Sequence, residues 1–242
     1  MRAPLFSILL AGLLMSACGE TSNVTGQAFV ATGELIAMSG GEGGAVNACF
    51  SCHGLDGRGD GVSTPRLAGL DAGYLQKQME DYAAGLRKDA VMGPLAKRLD
   101  HGARRSVSAY YAAMAAPTAV NTDPPPRAYT EVDRGQIRAC ADCHGVNGEG
   151  GGPGNPAIAG QPAAYTMEQI NRWRRAERRN DPRSVMRMAV AGLSEPEIAA
   201  IAAWLARQPA SPPPDTAAAS AFDAATAAAR PAASHAGRRP DR

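Results

Sequence analysis

The 242-residue sequence predicts an all-α protein made of two tandem copies of one small helical domain. Three observations support this fold class: residues that recur at a fixed spacing, glycine-rich segments at matching positions, and helical periodicity without the alternation typical of strands. The copies span residues 41–116 and 131–208. Since aromatic residues make up only 5% of the chain, we expect thin cores that a further apolar group must fill.

The two copies are recognised by residues that recur 91 positions apart. A Cys-x-x-Cys-His motif begins at Cys49 and again at Cys140. After a three-residue insertion near residues 180–182 the spacing becomes 94, and Met92 then matches Met186. Other pairs at the spacing of 91 are Gly57 and Gly148, Gly59 and Gly150, Pro65 and Pro156, Tyr74 and Tyr165, and Gln78 and Gln169. So many matches with one small gap indicate duplication of a single fold.

Each copy is expected to consist of helices joined by glycine-rich loops. Residues 74–86 and 165–179 have helical composition, whereas segments 54–61 and 145–154 are too rich in glycine for helices. The last helix of the second copy has a clear start, because residues 194–197 form a capping box with proline in the first turn. Apolar residues then follow at helical spacing.

The beginning of the chain predicts export. Residues 1–17 combine a basic residue with an apolar stretch too short for a stable membrane span, and we interpret them as a signal peptide. Small residues precede Cys18, and this segment resembles a bacterial lipoprotein signal, which predicts lipid attachment at Cys18. The alternative is an ordinary secretory signal that leaves Cys18 as a free thiol.

Three segments outside the copies are expected to lack a packed core. Residues 18–40 are small and polar and predict a flexible tether. Residues 117–130 contain three consecutive prolines, which favour a stiff linker. Residues 209–242 are dominated by alanine, proline, serine and arginine, and we predict a disordered tail.

The two Cys-x-x-Cys-His motifs predict covalent haem attachment. In this motif the two thiols add to the haem vinyl groups, and the adjacent histidine ligates the iron. We therefore predict two covalently bound haem c groups, one held by Cys49, Cys52 and His53 and the other by Cys140, Cys143 and His144. The alternatives are a zinc site built from both cysteine pairs and a thiol–disulfide redox pair.

The second axial ligand of each iron is predicted from the repeat. Most methionines only fill cores, but Met92 and Met186 occupy matching positions before the final helix of each copy. Met188 matches Pro94, which cannot ligate iron. The histidines His101 and His235 are alternative ligands, although neither has a counterpart in the other copy. We therefore expect histidine and methionine ligation at both irons.

Charged residues indicate further contacts. Seven arginines lie in residues 172–187. They form either a solvated helix face or a surface that binds haem propionates or an acidic partner protein. Arg178 matches Arg87, so this pair is the better candidate for propionate contacts. The formal net charge of +2 gives no indication of nucleic-acid binding.

The motifs together resemble one known group of proteins. Cys49-Phe50-Ser51-Cys52-His53 and Cys140-Ala141-Asp142-Cys143-His144, the Leu-Ala-Gly and Ile-Ala-Gly turns and the methionine segments are similar to the tandem dihaem class I cytochromes c, usually called the c-four group. The resemblance covers about residues 40–208. It implies two class I cytochrome c domains packed about a pseudo-twofold axis, and the lipoprotein-like leader, long linker and tail depart from it.

The resemblance implies one-electron transfer without substrate chemistry. Two strong axial ligands leave no open iron position, so we expect a periplasmic carrier in a respiratory chain, held to a membrane by lipid at Cys18. The alternative is the cytochrome subunit of a periplasmic dehydrogenase that oxidises a sulfur compound or an alcohol. Expected partners are a terminal oxidase and a quinol- or dehydrogenase-type donor.

Overall fold

The computed structural model describes residues 21–118, 121–131 and 138–210, and it gives the backbone alone for residues 21–29. The predicted signal peptide, Cys18 and the tail beyond residue 210 lie outside this range. The helices in the described part are α1 Thr21–Ser39, α2 Phe50–His53, α3 Ala72–Ala83, α4 Met92–Arg98, α5 His101–Ala113, α6 Arg127–Thr130, α7 Ala141–His144, α8 Ala163–Arg174, α9 Val185–Val190 and α10 Glu195–Arg207. These residues contain no strand, which confirms the all-α class.

The first domain packs α1 and α3 against α5. Tyr110 and Tyr111 on α5 form its core together with Leu75 on α3 and Ala37 on α1. The crossing of α1 and α5 is close at Gly33, where a Cβ atom would lie only 2.1 Å from the carbonyl oxygen of Ser106. The crossing therefore requires a residue without a side chain at position 33.

The prediction of a flexible tether over residues 18–40 is wrong for most of its length. Residues Thr21–Ser39 form a helix, and Ala37 is completely buried in the core of the first domain. The glycines and β-branched residues of this segment have low helix propensity. Packing on α5 compensates for that, because most helical stability in proteins comes from tertiary contact.

In the second domain α8 packs against α9 and α10, as α3 packs against α4 and α5 in the first. Ile198, Ile201 and Leu205 of α10 fill its core. The predicted capping box is confirmed, since the Ser194 hydroxyl accepts the backbone N–H of Glu197 and the Glu197 carboxylate accepts the backbone N–H of Ser194. Both glycine-rich segments are loops, as expected.

The proline-rich linker ends earlier than predicted. Residues Arg127–Thr130 form the short helix α6, and Tyr129 is completely buried in the core of the second domain, 4.9 Å from the ring of Trp204. The Tyr129 hydroxyl also donates to the carbonyl oxygen of Gly145 at 2.7 Å. The second domain therefore begins near residue 126, because its core needs this aromatic ring.

Within the described residues no single helix is long and apolar enough to cross a membrane, although the sharply bent pair Pro182–Val190 and Glu195–Arg207 together meets that length and composition.

Candidate haem sites

Each Cys-x-x-Cys-His motif forms one short helix. The helices α2 and α7 begin directly after Cys49 and Cys140, so the two cysteines of each motif are one helical turn apart. All four motif thiols are free of disulfides. The first cysteine of each pair is partly buried against its domain's core. One face of each helix can thus present two thiols to the edge of a planar group.

Both motif histidines are buried and held in the same way. Each of these residues is 7% exposed. The Nδ1 atom of His53 lies 2.9 Å from the carbonyl oxygen of Pro65, and Nδ1 of His144 lies 2.8 Å from that of Pro156. A carbonyl oxygen can only accept, so Nδ1 carries the proton and Nε2 keeps its lone pair for a metal. Burial lowers the pKa of each histidine, which also favours the neutral ring.

A glycine in each loop brings the proline carbonyl close to the histidine. Gly59 and Gly150 have φ angles of +78° and +83°, and their N–H groups donate to the carbonyl oxygens of His53 and His144. A Cβ atom at Gly59 would lie 2.2 Å from the carbonyl oxygen of Thr64. Only glycine permits both this conformation and this approach.

The loop before Pro65 depends on one exposed carboxylate that the sequence reasoning overlooked. The side chain of Asp60 accepts the N–H groups of Val62, Ser63 and Thr64, each at 2.8 Å, and the Thr64 hydroxyl. These bonds, with the Val62 N–H contributing most, hold the pKa of Asp60 far below its usual value. The loop that carries Pro65 is therefore fixed by an ionised side chain.

We expect Asp60→Ala to accelerate amide hydrogen exchange at residues 62–64 at neutral pH. The folded-state pKa is lowered, so the stabilisation is complete well above the ordinary carboxyl pKa of about 4 and is lost as the pH falls below it. Asp56→Ala is the matched control, because the polar contacts described for the Asp56 side chain are all with Arg58. Equal exchange in the two variants would contradict the role given to Asp60.

The two methionines of the repeat occupy equivalent places at the start of a helix. Met92 is the first residue of α4, and Met186 is the second residue of α9. Both backbone N–H groups donate to an upstream carboxylate, that of Asp89 at 2.9 Å and that of Asp181 at 2.8 Å. Met186 packs against the domain core, whereas Met188 is 39% exposed.

Buried polar atoms without a protein partner test whether a haem suits these sites. The indole Nε1 of Trp173 and the hydroxyl of Tyr111 are buried and make no hydrogen bond. Such orphaned donors suit an anionic group such as a haem propionate. Neither residue stood out in the sequence, although Trp173 matches Tyr82 in the repeat. Together with the free thiols and the oriented histidines, these donors fit a covalently bound haem.

The two alternative chemistries fit less well. Among the described residues no three histidine, cysteine or acidic side chains converge as metal ligands, so the two cysteine pairs do not form one zinc site. Reactive redox thiols have lowered pKa values. Here burial raises the pKa of Cys49 and raises that of Cys140 to about 11.

The predicted propionate contacts Arg87 and Arg178 meet each other at the domain interface. Their backbones form an isolated antiparallel bridge, and both side chains are buried. Each guanidinium donates to Gln78 of the first domain and to Gln169 of the second, at 2.8–3.1 Å. Arg178 also stacks over the ring of Trp173 at 4.0 Å.

Neutral oxygens accept all the hydrogen bonds described for this arginine pair. Besides the glutamine amides, Arg87 donates to the hydroxyl of Tyr165 at 3.0 Å and Arg178 to the amide of Asn180 at 3.0 Å. Two like charges buried side by side are unfavourable without compensating negative charge. The buried positive charge of the two arginines suits carboxylates at this interface.

Comparison with known proteins identifies the motifs as parts of known domains. The sequence model of the family described as cytochrome c matches residues 41–123 and 132–209. The thiosulfate dehydrogenase electron acceptor of Stutzerimonas stutzeri is 36% identical over 189 residues, which cover 74% of this chain and 88% of that protein. Cytochrome c4 of Azotobacter vinelandii is 35% identical over 76% of this chain and 93% of its own length.

A solved structure shows the same arrangement of elements. The thiosulfate dehydrogenase TsdBA of Marichromatium purpuratum, in its as-isolated form, superposes with a TM-score of 0.65 and 35% identity. The match covers 74% of this chain and 40% of that longer chain.

Proposed function

The chain belongs to the cytochrome c family, and from that premise we propose that it accepts electrons from a thiosulfate dehydrogenase in the periplasm. Membership of the tandem dihaem c-four group makes it an electron carrier with two covalently bound haem c groups rather than an enzyme. The observation that carries the proposal is the 36% identity to an electron acceptor of that enzyme over 88% of the acceptor's length.

Four cysteines and four axial residues are proposed to hold the two haems. Cys49 and Cys52 bind the first through thioethers, and Cys140 and Cys143 bind the second. The axial pairs are His53 with Met92 and His144 with Met186. When bound, each haem supplies an iron that takes up and releases one electron. The protein orients the histidines through Pro65 and Pro156 and excludes water around them.

Transfer from a dehydrogenase can be tested with purified proteins. We expect the oxidised, haem-loaded protein to be reduced rapidly when thiosulfate and a thiosulfate dehydrogenase are both present, as followed by its visible absorbance. Omission of either component should abolish the reduction, and a periplasmic alcohol dehydrogenase with its substrate is the matched control. If the protein is reduced no faster with the thiosulfate dehydrogenase than without it, the proposal that this enzyme is the electron donor is refuted.

The route after the dehydrogenase is proposed to be a respiratory chain. A terminal oxidase is the proposed acceptor, because methionine ligation raises the potential of a haem. Stable association with the dehydrogenase is the second candidate, and the TsdBA match favours it. Co-purification of the two native proteins as one complex would support that candidate, whereas separate elution would support a free carrier.

The position of the protein in the cell is proposed from its leader. Export by residues 1–17 followed by lipid attachment at Cys18 would hold it at the periplasmic face of a membrane. Labelled palmitate should enter the wild-type protein and not Cys18→Ala, and equal labelling would refute this anchor.

We propose that Arg87 and Arg178 compensate propionate charge at the domain interface. Arg178→Ala should therefore lower the reduction potential of at least one haem, because an uncompensated propionate stabilises the oxidised iron. Arg179→Ala is the matched control, since Arg179 is exposed and donates only to the Ala176 carbonyl. Spectroelectrochemical titration gives the potentials, and an unchanged pair of values in Arg178→Ala would remove this role.

A further inference from the structure

One arginine is enclosed at the domain interface apart from the Arg87–Arg178 pair. Arg66 is completely buried, with 0% of its surface exposed. Its Nη2 atom donates to the carbonyl oxygen of Ala159 in the other domain at 2.9 Å, and Nη1 donates to the carbonyl oxygen of Ala68. Its Nε atom is buried without a partner. The guanidinium thus joins two backbone turns of different domains.

Gln161 completes the same contact from the other side. Its Oε1 accepts the backbone N–H of Arg66 at 3.0 Å, and its Nε2 donates to the carbonyl oxygen of Arg66 at 2.9 Å. The neighbouring Ala157 packs into the core of the first domain. We call Arg66 and Gln161 together the interdomain clasp.

The interdomain clasp joins the two turns that orient the motif histidines. Arg66 directly follows Pro65, whose carbonyl accepts from His53. Ala159 lies three residues after Pro156, whose carbonyl accepts from His144. The histidines of both domains are therefore oriented by turns that are bonded to each other.

The repeat does not account for the clasp. At the spacing of 91, Arg66 corresponds to Ala157 and Gln161 corresponds to Leu70. Each domain thus contributes one member that its counterpart lacks. The clasp is an asymmetric feature added to a duplicated fold.

The charge of Arg66 has no described counter-ion. All of its acceptors are neutral carbonyl or amide oxygens. Burial lowers the pKa of Arg66 to about 10, so the guanidinium is still protonated at neutral pH. A cation in a poorly polarisable interior acts on nearby charges more strongly than one at the surface.

We infer that the buried charge of Arg66, held between the turns that orient His53 and His144, raises the reduction potentials of both haems. Reduction lowers the charge of an iron by one. A buried cation near the two turns that orient the motif histidines therefore favours the reduced form of both haems. The inference rests on the proposed ligation by His53 and His144.

Spectroelectrochemical titration of both haems in three variants tests this inference. In Arg66→Gln we expect both reduction potentials to fall by up to about 59 mV. That fall is a tenfold change in the equilibrium constant of each one-electron reduction. Arg66→Lys keeps the charge and should stay closer to wild type. Arg98→Gln removes an exposed arginine of α4 and should leave both potentials unchanged.

Two results would overturn the inference. One is an Arg66→Gln protein with both haems bound and unchanged potentials. The other is an equal fall in Arg66→Lys and Arg66→Gln, because geometry alone would then explain the effect. If Arg66→Gln does not assemble, Arg66→Met keeps an extended side chain without the charge and should also lower both potentials. Unchanged values in that variant would refute the inference.

The haem content separates this inference from the proposed function. A pyridine haemochrome assay of the wild-type protein should give two haem c per chain. A lower haem content would refute the proposed ligation. Two haems per chain together with unchanged reduction potentials in the Arg66 variants would refute only the role of Arg66.

Discussion

Replacement of Met186 by alanine should convert the second haem to a high-spin form with a potential lower by on the order of 100 mV. The thioether is the proposed sixth ligand, and alanine leaves that iron position open. Carbon monoxide should then bind the reduced haem readily. Met92→Ala should have the same effect on the first haem only, and absorbance spectra with redox titration would show both changes.

Met188→Ala is the matched control for this prediction. Met188 lies two residues further along α9 and is more exposed than Met186, which packs against the core. We expect its removal to leave the spectrum and the potentials unchanged. A high-spin haem in Met188→Ala with a wild-type spectrum in Met186→Ala would assign the ligand to Met188 instead.

Replacement of Gly33 by alanine should destabilise the first domain by about 3 kcal/mol. The new Cβ atom would overlap the carbonyl oxygen of Ser106 at 2.1 Å and the Cβ atom of Tyr110 at 2.7 Å. A backbone carbonyl cannot rotate away as a side chain can, so α1 and α5 must separate. Since domains are stable by only about 5–15 kcal/mol, guanidinium unfolding should show an earlier transition.

The same substitution at Gly102 is the control. Gly102 is exposed on α5, and a Cβ atom there would meet only the Asp100 carboxylate at 3.4 Å, an ordinary contact. Alanine should stabilise this helix position by up to about 1 kcal/mol, because glycine has the lower helix propensity. Equal midpoints of guanidinium unfolding for Gly33→Ala and Gly102→Ala would show that α1 is not packed tightly on α5.

The sequence predicted the fold class and the duplicated sites because both are local patterns. The spacing of 91 residues identified Pro65 and Pro156 as a pair before their contacts with the histidines were visible. The tether prediction failed because α1 is stabilised by contact with α5, about 70 residues away, and not by its own propensity. Tyr129 was missed for the same reason, since its burial depends on packing against residues far along the chain, such as Trp204.

Contacts between the domains were the least predictable part. A repeat alignment shows that Arg87 and Arg178 are equivalent, but not that equivalent residues touch. They touch only if they lie near the axis that relates the domains. The clasp residues Arg66 and Gln161 have no repeat signal, because neither has a like counterpart in the other domain.

The arrangement of Gln78, Gln169, Arg87 and Arg178 is self-complementary. Each arginine binds the glutamine of its own domain and that of the other, as expected where two identical surfaces meet about a twofold axis. A lone ancestral domain with one such glutamine and one such arginine could have paired with a second copy through these same bonds. Gene fusion would then have made this homodimer contact permanent. After fusion, the sequences of the two copies would have been free to diverge.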